Sequence, residues 1–248
     1  MYINDVHIFT YLILGAIGAV VGQFVDWIVI RTTSKKNIFS KEILQYIKNM
    51  KLNYKAIAIN SIMYIIITYM FGISPNILEN KQLIEFMILV PILNAIFIID
   101  YKNKIIPNRL TLTLFEIGIC FTFLYGLDNI YMARDMLLGM IVGTIIFIII
   151  ALLGNLIAGK ETMGMGDVKL VAVLGLYFGL SVTVALCVLS FIIAALIMAV
   201  LLLSKSKKGT DYMPFGPYIV IAAFICIILP KDFIVSALLC TFTLGRIR

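Results

Sequence analysis

The chain has 248 residues, of which 62% are hydrophobic and only 13% charged, with a mean hydropathy of +1.07. A soluble domain of this length is about 45–50% apolar and about a quarter charged, so a soluble fold is excluded. The net charge of +7 could suggest nucleic-acid binding. The basic residues, however, flank apolar runs, as they do beside membrane spans, so we expect no nucleic-acid partner.

Apolar runs recur from end to end and predict an all-α, polytopic transmembrane helical bundle of about eight spans. Each run approaches the length of about 20 residues that a helix needs to cross the bilayer. The tail 233–245 is apolar but short, and we expect an interfacial segment or the completion of a hairpin. The predicted spans are 8–30, 55–73, 83–100, 110–127, 134–157, 168–181, 182–203 and 215–230.

Basic residues concentrate in alternate loops, and this pattern predicts the orientation. The segment 31–54 is strongly basic with Glu42 as its one acid, and the loops 101–109 and 204–211 are also basic. The intervening loops are roughly balanced. The positive-inside rule therefore predicts that the basic loops are cytoplasmic and that the N-terminus lies outside.

Small residues spaced four apart predict places where helices approach closely in lipid. These are Gly18 with Gly22, Gly139 with Gly143, and Gly175 with Gly179. The four cysteines form no CxxC pair and lie within apolar runs, so we interpret them as small buried hydrophobic residues and expect no zinc. They are Cys120, Cys187, Cys226 and Cys240.

Asp100 and Asp167 are the main candidates for chemistry, because each lies at an end of a predicted span, on the predicted cytoplasmic edge. A polar turn containing Pro107 follows the first, and Gly164 and Gly166 precede the second, where we expect them to allow unusual backbone angles or close approach. Two neighbouring carboxylates can share a proton, so that one activates water while the other polarises a carbonyl.

Other interpretations of these carboxylates remain open at this point. A single Asp at a span end can simply mark the membrane interface. Together with Glu116 inside the fourth span, the pair could instead relay protons or cations in a membrane transporter. The absence of inverted repeats weighs against a transporter. The chain's one histidine, His7, is remote from both aspartates in sequence and cannot build a metal site alone.

Four motifs, in order, resemble those of the type IV prepilin peptidases, membrane aspartic proteases of the GxGD class. The similarity extends over most of the chain and implies the GxGD protease architecture. The motifs are Gly22-Gln23-Phe24-Val25-Asp26-Trp27-Ile28-Val29-Ile30-Arg31, Ile99-Asp100 with Ile106-Pro107-Asn108, Gly164-Met165-Gly166-Asp167-Val168-Lys169-Leu170, and Pro214-Phe215-Gly216-Pro217. Preflagellin and presenilin proteases share the GxGD motif, but the first and last motifs argue against them.

The resemblance implies a function and a role for each motif. Asp100 and Asp167 would be the catalytic pair, with Gly164 and Gly166 shaping the loop that carries Asp167. Lys169 and the turn formed by Pro214, Phe215, Gly216 and Pro217 would support the site or its substrate. The substrate would be a type IV prepilin, or a pseudopilin of type II secretion, cut after a glycine at the cytoplasmic face of the bacterial inner membrane. Proteolysis would need no cofactor.

The chain also departs from this family. Many members N-methylate their product with S-adenosylmethionine and carry zinc-binding CxxC pairs in a longer first loop. Here the loop 31–54 has no cysteine, so no zinc is expected and methylation stays open. We expect residues 1–54 to form a reduced N-terminal region and 55–248 the peptidase domain.

Two further acidic residues have both a functional and a structural interpretation. Asp26 stands where the family usually has Asn, and would either contact the substrate or the methylation site, or hydrogen-bond across helices. Glu116 would either tune the catalytic pair or have a structural partner.

Overall fold

The computed structural model describes residues 2–3, 6–34, 46, 52–74, 76–159, 163–204 and 214–242. Most of the basic segment 31–54, the basic residues of the loop 204–211 and the end of the tail 233–245 lie outside the described residues. The predicted orientation therefore rests on the sequence.

The described residues are almost entirely helical, which confirms the all-α prediction. Two short strands, β1 (Tyr2–Ile3) and β2 (Val6–His7), pair antiparallel, and a 3-10 turn covers Ile77–Asn80. The α-helices are α1 (Ile8–Thr33), α2 (Tyr54–Phe71), α3 (Lys81–Asn103), α4 (Asn108–Asp128), α5 (Ile130–Ala158), α6 (Met165–Leu203), α7 (Gly216–Ile228) and α8 (Lys231–Phe242).

The chain forms two compact units, Met1–Lys102 and Asn103–Arg248. The first contains α1 to α3, with α1 packed on α2. The second contains α4 to α8, in which α6 packs on α5, α4 and α7. This structural division falls at a different place from the predicted functional boundary after residue 54, which stays a prediction.

Six described helices, α1 to α6, are long and apolar enough to cross a membrane, so the chain is an integral membrane protein. Helix α6 is unusual, because its 39 residues would measure about 58 Å as one rod, nearly twice the hydrocarbon thickness of about 30 Å. Gly179, with φ 70° and ψ 177°, interrupts it.

The two segments of α6, residues 165–178 and 180–203, form a helical hairpin that turns at Gly179. A Cβ atom built on Gly143 of α5 would lie 3.1 Å from Val171 and 2.8 Å from Thr183, so both segments lie against the same point of α5. Gly139 lies against Gly175, and Phe147 stacks near Phe191 at 5.5 Å. The first segment is therefore antiparallel to α5 and the second parallel, matching the predicted spans 168–181 and 182–203 with the boundary moved to 179.

Helices α7 and α8 are each too short to cross the bilayer alone. Gly216–Ile228 and Lys231–Ala237 are long and apolar enough for one span only when taken together, and the chain bends by 118° between them. The predicted span 215–230 is thus a 13-residue helix, and the tail begins with a second helix that turns sharply away from it. Of the two alternatives expected for the tail, this geometry favours the completion of a hairpin.

The glycine pairs lie where helix backbones meet, as predicted. A Cβ on Gly22 would lie 2.7 Å from the carbonyl oxygen of Ala56, and one on Gly18 would lie 2.8 Å from that of Asn60. A Cβ on Gly139 would lie 2.6 Å from the carbonyl oxygen of Gly175. These contacts involve main chain, so a side-chain rotation cannot relieve them.

The cysteine prediction is half wrong. All four thiols are free, and Cys187 and Cys226 are buried as expected. Cys120 and Cys240 are exposed, because they lie on faces of α4 and α8 that no other described helix covers. An apolar run alone does not tell a lipid-facing side chain from one inside the bundle.

Asp135 of α5 ties the turn of the α6 hairpin to its neighbours. Its Oδ1 accepts a hydrogen bond from the Leu180 N–H at 3.3 Å, at the start of the second segment. Its Oδ2 lies 3.4 Å from the Lys231 ammonium of α8. Both charged side chains are partly exposed. The carboxylate therefore occupies the positive end of a helix, where a negative charge is favoured.

We expect Gly139→Ala to lower the stability of the protein by about 1–3 kcal/mol, because the added methyl group overpacks a main-chain contact. The melting temperature in detergent measures this loss. Gly164→Ala is the control, since the nearest atom to its Cβ would be Asp167 Oδ2 at an ordinary distance of 3.5 Å. Equal melting temperatures for the two variants would contradict the proposed close approach of α5 and α6.

Candidate active site

Asp100 is a buried carboxylate in the last turn of α3, within the first unit. Its residue is 4% exposed, and it continues the buried stripe of Leu89, Leu93 and Ile96 at helical spacing. The side chain therefore lies on the inner face of α3 and not on its surface. A carboxylate buried at the end of an apolar helix is costly, which makes it a functional candidate.

Asp167 is the corresponding carboxylate of the second unit, in the first turn of α6. It is 6% exposed, and its N–H donates to the carbonyl oxygen of Gly164 at 3.1 Å, at the point where the helix begins. The first turn of a helix favours a negative charge. Asp100 and Asp167 thus have opposite placements, one at the C-terminal end of its helix and the other at the N-terminal end.

The two glycines before Asp167 differ in what they contribute. Neither has a positive φ, so the predicted use of unusual backbone angles is wrong. A Cβ on Gly166 would lie 3.0 Å from the Cβ of Ile106, a distance that side chains rarely tolerate. A Cβ on Gly164 would lie 3.5 Å from Asp167 Oδ2, an ordinary contact. The close-approach interpretation therefore holds for Gly166 alone.

The loop before α4 packs against the start of α6, within the second unit. Ile106 is buried against Gly166, and the Lys169 ammonium donates to Asn108 Oδ1 at 3.1 Å. Residues from two sequence-distant motifs are thus neighbours. Lys169 itself is exposed, whereas Asp167 two positions earlier is buried, so the two side chains leave α6 on different sides.

The Pro214 to Pro217 turn starts α7 and is held by aromatic packing. Pro217 lies in the first turn of α7, where its missing N–H costs nothing. The Phe215 ring lies 4.8 Å from Phe191, 6.0 Å from Phe147 and 6.1 Å from Tyr218. Gly216 is buried next to it. These contacts anchor α7 to α5 and to the second segment of α6, and a contact with substrate stays a prediction.

Asp26 has a hydrogen-bond partner in the first unit. Asn53 Nδ2 donates to Asp26 Oδ1 at 2.7 Å, and the Asn53 main-chain N–H donates to Gln23 Oε1 at 3.2 Å. Asn53 Oδ1 in turn accepts from the Ala56 N–H, which caps α2. This arrangement supports the structural interpretation of Asp26. Sequence reasoning missed Asn53, although an Asn before an apolar run is a common cap signal.

Aromatic side chains cover the same part of α1. The Trp27 ring lies 4.9 Å from Tyr46 and 4.3 Å from the Arg31 guanidinium carbon, a cation–π contact. Burial raises the pKa of the Tyr46 phenol, and the nearby Asp26 carboxylate raises it further. The Gly22 to Arg31 motif therefore joins the end of α1 to the segment before α2.

Glu116 lies on the exposed face of α4. The buried face of this helix carries Leu114, Gly118 and Phe121, and Glu116 is not part of it. A tuning role next to Asp167 thus gains no support from its position. Among the residues that the structure describes, no group of three or more His, Cys, Asp and Glu side chains could hold a metal ion.

Fold and sites together define a polytopic helical membrane protein with single carboxylates buried at the ends of two helices. Residues 87–203, slightly less than half of the chain, match the model of the type IV leader peptidase family. The matched residues include Asp100 and Asp167. The Gly22 to Arg31 motif and the Pro214 to Pro217 turn lie outside them.

The chain is also similar to proteins of known name. A prepilin leader peptidase/N-methyltransferase of Xanthomonas campestris pv. campestris is 34% identical over 137 residues, 55% of this chain and 46% of the relative. Proteins of the same name from Aeromonas hydrophila and Pseudomonas aeruginosa are each 31% identical, over 57% and 54% of this chain and 48% and 45% of their own. The chain thus spans about half the length of these relatives. No solved structure matches it.

We expect Gly166→Ala to destabilise the protein by about 1–2 kcal/mol, since its methyl group would press on Ile106. Gly164→Ala is the matched control and should change the melting temperature little. Ile106→Gly removes the Cβ that this methyl group would meet, so the double variant should lose less stability than the sum of the two single losses, which a double-mutant cycle measures. An additive cycle would refute the contact.

Proposed function

We propose that the chain is a membrane aspartic endopeptidase that removes the leader of type IV prepilins or pseudopilins, with Asp100 and Asp167 as its catalytic pair. The burial of both carboxylates, on helices within the family-matched residues, carries this proposal. The contact of Ile106 with Gly166 supports it, because it joins the segment following Asp100 to the loop that carries Asp167.

The proposed chemistry uses water and needs no metal or covalent intermediate. When two carboxylates approach one peptide bond, they cannot both ionise readily and share a proton. The ionised carboxylate takes a proton from water, whose oxygen attacks the carbonyl carbon, while the protonated carboxyl donates to the carbonyl oxygen. The tetrahedral intermediate then expels the amine, which takes the proton that the first carboxylate removed from water, while the carbonyl re-forms and returns its proton to the second carboxylate.

Helix ends suggest how the two roles are divided. The first turn of α6 favours a negative charge on Asp167, whereas the last turn of α3 disfavours one on Asp100. We therefore assign the activation of water to Asp167 and the polarisation of the carbonyl to Asp100.

The proposed location is the bacterial cytoplasmic membrane, with the N-terminus outside and both aspartates at the cytoplasmic face. The basic loops of the sequence support this orientation. A substrate with a soluble basic leader, a glycine before the cut and an apolar helix after it would place its scissile bond at this face, because the leader stays in water and the helix lies in lipid.

The decisive experiment compares the reconstituted parent with Asp100→Asn and Asp167→Asn on a prepilin. We expect cleavage after the leader glycine by the parent and a loss of about 10²–10⁴-fold or more in each variant, because each removes one proton-transfer group. Glu116→Gln, a carboxylate on the exposed face of α4, is the control and should cleave like the parent. Cleavage that persists in both Asp variants would refute the catalytic pair. The carboxylates would then be better explained as proton or cation relays of a transporter.

The same assay tests the division of roles. An asparagine amide can still donate a hydrogen bond to a carbonyl, but it cannot accept a proton from water. We therefore expect more residual cleavage in Asp100→Asn than in Asp167→Asn. The reverse order would exchange the two assignments.

The names of the relatives include N-methyltransferase, and S-adenosylmethionine would be the cofactor of that activity. The cavity beside the α1 motif, about 330 Å³, fits this cofactor poorly. Its lining is apolar except for Gln23, already bonded to Asn53, and the Tyr46 hydroxyl, whereas the cofactor's charged and hydroxyl groups need polar partners. We derive no step through it. Mass spectrometry of the cleaved product with the cofactor present detects an added methyl group directly.

A further inference from the structure

An amphipathic groove lies between the starts of α4 and α6, and its lining includes neither Asp100 nor Asp167. Its volume is about 380 Å³, and Met140 of α5 contributes to its lining. Helix α4 supplies Thr111, Leu112 and Phe115, one and two turns beyond its first residue. Apart from its polar end, the groove is therefore a mainly apolar channel between two helices.

The polar end consists of Lys169 and Asn108. The Lys169 ammonium donates to Asn108 Oδ1 at 3.1 Å and has no carboxylate partner among the described residues. Asn108 is the first residue of α4, and Lys169 lies in the opening turns of α6. The groove thus has one cationic, hydrogen-bonding end and an apolar remainder, which Leu112 and Ala172 line deeper along the same helices.

Lys169 does not share a face with Asp167. Residues two positions apart on an α-helix point in directions about 200° apart around its axis. The burial of Asp167 and the exposure of Lys169 agree with this separation. An occupant held by Lys169 therefore lies on another side of α6 from the proposed catalytic carboxylate. This placement disfavours the peptide substrate as the occupant.

We propose that this groove is a binding site for an anionic phospholipid. The Lys169 ammonium and the Asn108 amide would bind the phosphate at the membrane edge, and the apolar channel would receive part of an acyl chain. Basic pockets between membrane helices are suited to acidic head groups. The cationic end of the groove suits an acidic head group, and its apolar remainder suits an acyl chain. The proposed lipid site does not depend on the proposed peptidase activity.

Native mass spectrometry of the full chain in detergent, without prepilin, tests this proposal. Phosphatidylglycerol and phosphatidylcholine with the same acyl chains are titrated separately. We expect the parent to prefer phosphatidylglycerol and Lys169→Met to bind it about fivefold more weakly, the effect of one lysine near an acidic head group. Ala172→Leu keeps the charge but fills the channel, and should also lower binding.

Two controls make the result specific to the groove. Lys169→Arg keeps the cation and should retain the preference. Lys55→Met removes an exposed lysine from the first turn of α2 and should bind like the parent. Equal binding by parent and Lys169→Met, or no preference for phosphatidylglycerol, would overturn the proposal. A separate titration with prepilin covers the other occupant: if prepilin affinity falls in Lys169→Met and no lipid preference is seen, the groove belongs to the substrate and the proposal is overturned.

Discussion

The second unit depends on the main-chain contact between α5 and the two segments of α6. In lipid there is little hydrophobic gain in bringing helices together, so close packing has to supply the attraction. Gly139, Gly175 and Gly179 allow this packing because none carries a side chain at the meeting point. The hairpin of α6 then places the start of its first segment beside the start of α4. The positions of Asp167, Gly166 and Lys169 all follow from that one contact.

Several of the polar side chains form hydrogen bonds or ion pairs that connect one helix to another. Asn53 joins α1 to the start of α2 with three separate hydrogen-bonding groups, and Asp135 joins α5, α6 and α8 through one carboxylate. Asp100 and Asp167 differ from these, because they are far more buried than Asp26 or Asp135. Chains in membranes retain such buried charges mainly where function needs them. Burial alone does not single out the proposed catalytic pair, since Glu85 near the start of α3 is also buried, but Glu85 lies outside the family-matched residues 87–203.

Much of this architecture was predictable because it rests on local patterns. Apolar runs define helices directly, and the aspartate motifs are short and ordered along the chain. Gly179 was predicted only as a packing residue, and the break that it makes in α6 was not predicted. The spacing of four residues from Gly175 is the same whether a glycine packs against a neighbouring helix or interrupts its own. Asp135 falls inside the predicted span 134–157, and no local pattern shows that it would contact Leu180 and Lys231. The partner of Asp26 lies 27 residues away, and such pairing follows from tertiary contacts that no local pattern contains.

The length of the first segment of α6 has a consequence for the bilayer itself. Its 14 residues, 165–178, measure about 21 Å, whereas the 21 residues of α4 measure about 31 Å. Gly118 of α4 lies against Leu176 of α6, so the turn at Gly179 ends about 10 Å short of the far end of α4. Asp135 and Lys231 meet at this recessed turn and are partly exposed. Such charges demand hydration, so the membrane must thin locally or admit water there, a hydrophobic mismatch confined to one side of the protein.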